Sequence, residues 1–208
     1  MSLRSRFFAS TYDRFSKRSE EAGLAEMRRK IIAGASGDVL EIGGGTGANL
    51  GYYGADVDSL TVTEPGPPML KRLERKARER NSEATVLRAP AEDLPFVDAS
   101  FDTVVSTLVL CGVDDQPRAV RELRRVLRPG GRLIFIEHVR SDDPRMAKKQ
   151  DRMNPVNRFF VCCDCNRPTL DTIRSAGFEV TELEQTELPK APRHVRPLIV
   201  GTATAPVA

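Results

Sequence analysis

Short apolar runs alternate along the chain with stretches whose apolar residues recur every three or four positions, the signature of strands separated by helices. Val39, Leu40 and Ile42 predict a buried first strand that stops at Gly43, Gly44 and Gly45, with Gly47 just beyond. A helix is expected to follow, its first N–H groups pointing back into the glycine turn. Alternation at Leu60 and Val62 predicts a second strand over 58–64. Gly66-Pro67-Pro68 opens a helix with Met69, Leu70, Leu73 and Ala77 inward. Residues 84–88 form a short third strand, and Phe101 with 104–109 a fourth, apolar on both faces as a central parallel strand must be. Asp114-Asp115 caps a helix with Pro117 in its first turn and Val120, Leu123 and Leu127 inward. Pro129-Gly130-Gly131 stops it, and 132–139 is a fifth strand. The last third predicts a helix over 167–176 and strands over 178–184 and 197–203, closing an open α/β sheet with a hairpin.

Ahead of the first strand, Phe8, Tyr12 and Phe15 share one helical face among Arg4, Arg14, Lys17 and Arg18. Ser19 offers a cap, and Met27, Ile31 and Ile32 suggest a second helix. Residues 1–35 are therefore expected to be a helical lid on a domain formed by 36–208, the whole being one compact unit. The same basic amphipathic pattern fits peripheral contact with a membrane surface.

Apolar content of 40% and charged content of 29% are ordinary for a globular protein. A net charge of +3 gives no reason to expect nucleic acid as a partner. No apolar run approaches the length of a membrane span and no signal peptide opens the sequence. Cys162, Cys163 and Cys165 sit too close together for a disulfide framework, which points to a reducing, cytoplasmic setting. Their spacing lacks the second ligand pair of a closed zinc site, so no metal is expected. The oligomeric state is left open.

The glycine turn is where the chemistry concentrates. Gly43-x-Gly45-x-x-Ala48 fits a dinucleotide fingerprint, with Glu64 placed for a ribose. Glu41, however, sets a carboxylate beside the turn, which repels a pyrophosphate and attracts a cation. Both a nicotinamide dehydrogenase and a cationic-ligand enzyme remain in play at this level.

Glu41-x-Gly43-x-Gly45-x-Gly47, the 91–96 stretch A-E-D-L-P-F and L-R-P-G-G at 127–131 resemble motifs of class I S-adenosylmethionine (SAM) methyltransferases. The resemblance implies a Rossmann-like fold: a seven-stranded, mostly parallel sheet with an antiparallel C-terminal strand and helices on both faces. It also implies SAM as cofactor, leaving as S-adenosylhomocysteine. Residues matching the family's cofactor contacts are Glu41, Gly43, Gly44, Gly45, Thr46, Asn49, Glu64, Pro65, Ala91, Glu92, Thr107 and Leu108. T-L-V-L-C-G-V at 107–113, E-H-V at 137–139, D-C-N at 164–166 and V-R-P-L-I-V-G at 195–201 are similar to the thiol S-methyltransferases of animal cells. Those carry an apolar membrane anchor at the front that this sequence does not show, so attachment is not carried over. The acceptor is expected to be a small molecule, a thiol first, with oxygen, nitrogen or carbon acceptors on a metabolite or lipid headgroup as alternatives, or SAM held without transfer. Cys111 and His138, with Glu137 beside them, stand where an acceptor-side residue should be; Asp164 and Tyr12 are further candidates.

Overall fold

The computed structural model describes residues 17–207. A kinked turn, Glu20–Leu24, leads into α1 (Ala25–Ile32). Then come β1 (Gly37–Ile42), β2 (Val57–Thr63), α2 (Pro67–Glu79), β3 (Thr85–Leu87), β4 (Phe101–Thr107), α3 (Gln116–Val126) and β5 (Leu127–His138). The chain ends with α4 (Pro144–Val161), α5 (Thr169–Ser175), β6 (Glu179–Glu187) and β7 (Pro197–Thr204). One seven-stranded sheet has the order β3-β2-β1-β4-β5-β7-β6. Its first five members run parallel, and β7 is antiparallel to both β5 and β6. The order reverses between β1 and β4, where an open α/β sheet leaves a crevice at its carboxyl edge.

Alternation along the central strands splits the core in two. Leu40, Ile42, Val104, Leu133 and Phe135 face the layer of α3 and α5, packing on Leu123 and Ile173. Val39, Val105 and Ile134 face the other way, onto Ile32 of α1. Glu41, Thr107 and Ile136 share that second face by the same period of two.

Four expectations change. No helix follows the glycine turn: residues 45–52 are successive turns, with Gly47 N–H donating to Gly44 O at 2.8 Å and Tyr52 N–H to Asn49 O at 2.9 Å. Gly47, Gly51 and Gly54 disfavour a helix there, and Asn49 and Tyr53 are drawn inward by Glu41. Ser19 is not a cap; its hydroxyl donates to the Pro189 carbonyl at 2.7 Å. β5 begins at Leu127, its pairing with β4 slipping between Phe101 and Thr103, so Pro129-Gly130-Gly131 lies within a bulged strand entry. The 18-residue α4 has no counterpart in the periodicity, because Pro155 stands inside it and its apolar residues form no single stripe.

Candidate active site

β1 delivers Glu41 to the crevice and the glycine turn bends the chain away from it. Gly43 and Gly45 adopt φ of 56° and 57°, a region where a side chain would be strained. Glu41 is buried and fully engaged by neutral donors: Tyr53 Oη at 2.6 Å on Oε2, and Asn49 Nδ2 at 3.0 Å on Oε1. Burial pushes its carboxyl pKa up against those bonds and the nearby Arg28 charge. Burial, then the Glu41 charge, pushes the Tyr53 phenol well up, which keeps it a donor.

Arg28 extends this network from α1. Its Nη1 donates to Asn49 Oδ1 at 2.9 Å and Thr107 Oγ1 at 2.8 Å, and its Nε to Glu20 Oε1 at 3.1 Å. Asn49 Nδ2 also donates to Thr107 Oγ1, at 2.9 Å. The end of β4 is thus tied to both the glycine loop and the N-terminal helix. Sequence reasoning missed Arg28 and Tyr53. The signal for Arg28 was present, since Leu24, Arg28 and Ile32 recur at i,i+4 and all three are buried.

Glu64 follows β2, and its two oxygens accept the N–H groups of Gly45 at 3.0 Å and Gly66 at 2.7 Å. Burial raises its pKa, opposed by those bonds. Each oxygen retains a lone pair for a hydroxyl. Thr46 and Ala91 are buried beside the turn and the loop after β3, while Pro65 is exposed. Glu92 Oε1 accepts the N–H groups of Asp114 at 2.7 Å and Asp115 at 3.3 Å, bridging that loop to the one after β4. Arg125 fastens the same loop from α3 by donating to the carbonyls of Phe96 at 2.7 Å and Leu94 at 3.0 Å.

Leu108 leaves β4 with φ 59°, and the turn it starts wraps Glu137. One Glu137 oxygen accepts the Ser106 hydroxyl at 2.6 Å and the Val109 N–H at 3.0 Å. Glu137 is wholly buried, which raises its pKa, so it shapes the loop from within. Cys111 and His138 come together with Cys163, their ligand atoms all within 4.8 Å. Cys111 is 2% exposed and His138 5%. Burial drives the His138 pKa down to about 4, so the ring is neutral. Asp164 is engaged by Arg167 at 2.6 Å, Asn154 at 2.8 Å and Arg158 at 3.2 Å, and they outweigh its burial to lower its pKa. That makes it an anchor of the loop and a weak base. Tyr12 lies outside the described residues.

The residues fit a cationic nucleoside ligand. Glu41 is a desolvated carboxylate hydrogen-bonded only by neutral groups, which a positive charge would stabilise, and Glu64 has acceptor capacity left for a ribose.

The profile of the family described as Methyltransferase domain matches residues 40–135. Fold and site together define a class I SAM-dependent methyltransferase. A SAM-dependent methyltransferase from Thermotoga maritima superposes with a TM-score of 0.71 at 25% identity, covering 99% of this chain and 100% of its own. Human thiol S-methyltransferase TMT1A is 35% identical over 193 residues, spanning 86% of this chain and 79% of the relative. Human TMT1B is 36% identical over 199 residues, spanning 90% and 80%. The chain therefore belongs to the SAM-dependent methyltransferase family that includes these thiol S-methyltransferases, and SAM is its cofactor. No helix among the described residues is long and apolar enough to cross a membrane.

Proposed function

We propose that this methyltransferase acts on a small thiol, converting it to a methyl thioether. The observation that carries this is the 35% identity to TMT1A over 86% of the chain, a span too long to be confined to the cofactor-binding half. When bound, the cofactor would supply a methyl carbon on a sulfonium for in-line transfer to the acceptor sulfur, the donor C–S bond breaking and the thiol proton being released to solvent. Glu41, with Asn49 and Tyr53, fixes the cationic end of the cofactor, and Glu64 its ribose. Ala91 and Glu92 belong to the loop proposed to border the adenine, held in place by Arg125. Thr107 and Leu108 shape the floor on which the donor and acceptor align, and alignment alone contributes on the order of 7 kcal/mol to such transfers. A sulfonium beside a thiol already favours the thiolate, so a dedicated general base is not required. Of the expected lid over residues 1–35, the described part, residues 17–35, closes over this site, a role that the burial of Arg28 against Thr107 supports; residues 1–16 lie outside the described residues. Four free cysteines fit a cytoplasmic setting.

The test is turnover with SAM against a panel of alkyl and aryl thiols, phenols, amines and a quinol, reading S-adenosylhomocysteine and the methylated product by mass spectrometry. Product with thiols alone is expected. Turnover confined to oxygen, nitrogen or carbon nucleophiles overturns the acceptor while leaving the enzyme class intact.

A further inference from the structure

Three cysteines and a histidine from three separate parts of the chain converge beneath the carboxyl edge of the sheet. Cys111 lies in the loop after β4, His138 ends β5, and Cys163 and Cys165 lie just past α4. The loops that carry them are fastened to one another. Asp164 N–H donates to Cys111 O at 2.8 Å. Arg167 donates to the carbonyls of Val113 at 2.7 Å and Leu110 at 3.2 Å. Gln150, wholly buried, donates to Cys165 O at 2.7 Å and Val139 O at 3.0 Å. The cluster is therefore held from every side.

Inside it, the Cys111 and Cys163 sulfurs and a His138 ring nitrogen lie within 4.8 Å of one another, and Cys165 Sγ is 3.3 Å from Cys163 Sγ. Nδ1 of His138 is buried with no hydrogen-bond partner, an atom that a bound cation would satisfy. Tetrahedral zinc with bonds of about 2.0–2.3 Å separates its ligand atoms by roughly 3.5–3.8 Å, which falls inside the 4.8 Å that bounds the Cys111, His138 and Cys163 atoms.

We propose that Cys111, His138 and Cys163 hold a zinc ion, with Cys165 Sγ beside Cys163 at the edge of the set. The partners that Cys163 lacks in sequence come from the ends of β4 and β5. These residues are at most 9% exposed, so the ion would sit inside the fold, and its role is to clamp the two loops that border the acceptor side. Occupancy converts the ligating thiols to thiolates and so releases their protons, making affinity rise with pH. This inference stands on the side-chain cluster and does not depend on the acceptor being a thiol.

The test is metal binding by the full chain, read apart from turnover. Protein isolated under reducing conditions is expected to hold about one zinc per chain by elemental analysis. Chelator-stripped protein titrated with Co(II) is expected to show tetrahedral d–d bands and thiolate charge-transfer absorption, both abolished by added zinc. Cys163→Ser and His138→Ala are expected to weaken Co(II) binding at least tenfold, whereas Cys162→Ser, at the exposed neighbour, leaves it unchanged. Should the first two variants fail to fold, the wild-type titration decides. Absence of both zinc and a tetrahedral Co(II) spectrum, or a Cys163–Cys165 disulfide in the reduced preparation, overturns the site.

Discussion

Arg28 and Thr107 stand 79 positions apart, yet the guanidinium of one donates to the hydroxyl of the other at 2.8 Å inside the core. That bond ties the N-terminal helix to the end of β4, at the proposed cofactor site. Arg28→Met removes a buried cation and strands Asn49 Oδ1 and Glu20. It is expected to lower stability by about 2–4 kcal/mol in a denaturant titration and to weaken SAM binding at least tenfold by calorimetry. Arg28→Lys should recover only part of either, because a single ammonium cannot reproduce a fork that reaches Glu20 on one side and Asn49 and Thr107 on the other. Wild-type affinity in the methionine variant would detach the helix from the site.

Glu41 should make SAM binding depend on pH. Its pKa in the free protein is raised by burial, so its contribution to stability is greatest below the unfolded value, near 4.5, and is lost as pH rises through the folded one. A bound cation favours the carboxylate and pulls that pKa down. Binding just above pH 4.5 is therefore expected to release a proton, measurable by calorimetry in buffers of different ionisation heat. Glu41→Gln should bind at least tenfold more weakly and lose that release. Equal proton release from both proteins would remove Glu41 from the role.

Arg125 is a test of the loop over 89–96. The guanidinium is one-third exposed in its salt bridges with Asp98 and Glu122, so those pairs contribute little after screening; its bonds to Leu94 and Phe96 carbonyls matter more. Arg125→Ala is expected to cost about 1–2 kcal/mol of stability and to raise the KM for SAM more than that for the acceptor. A change in acceptor KM alone would contradict the placement of this loop at the cofactor.

Two neighbouring glycines should behave differently. A methyl at Gly45 meets nothing nearer than Gly43 O at 3.9 Å, so Gly45→Ala costs only the strain of φ 57°, about 1–2 kcal/mol, but crowds the ligand side of the turn. A methyl at Gly44 would lie 2.3 Å from Val62 Cγ1 and 3.2 Å from Leu73 Cδ2, so Gly44→Ala forces the packing of α2 apart. Thermal melts should rank Gly44→Ala well below Gly45→Ala, while SAM affinity falls in both. The reverse order of melting would show that the turn moves as a unit.

Strand positions were legible wherever burial was two-sided or alternating, as at Val39–Ile42 and through β4, because a period of two reads directly from residue type. The positions of Glu41 and Glu64 were legible because each stands at the carboxyl end of a strand that alternation predicts, and the structure buries both beside the glycine turn. What could not be read was whatever depends on residues distant in sequence. Cys163 gave no sign of its neighbours because Cys111 and His138 come beside it only through the sheet. The turns after Gly47 defeated a helical expectation because the Glu41 carboxylate competes for Asn49 and Tyr53. Asp164 read as a candidate base, and only the three side chains around it reveal an anchor.

The bond from Ser19 to Pro189 spans 170 positions, and Leu24 packs on Leu188, Ala191 and Leu198. The helix bearing Arg28 is therefore seated by a part of the chain that leaves the ribosome long after the helix itself. A growing polypeptide can assemble β1, its glycine bend and Glu64 long before it can close the pocket above them. Competence to retain the cofactor should arrive abruptly, only after that stretch has emerged, and a ribosome stalled before residue 188 would present an enzyme with its floor laid and its roof still loose.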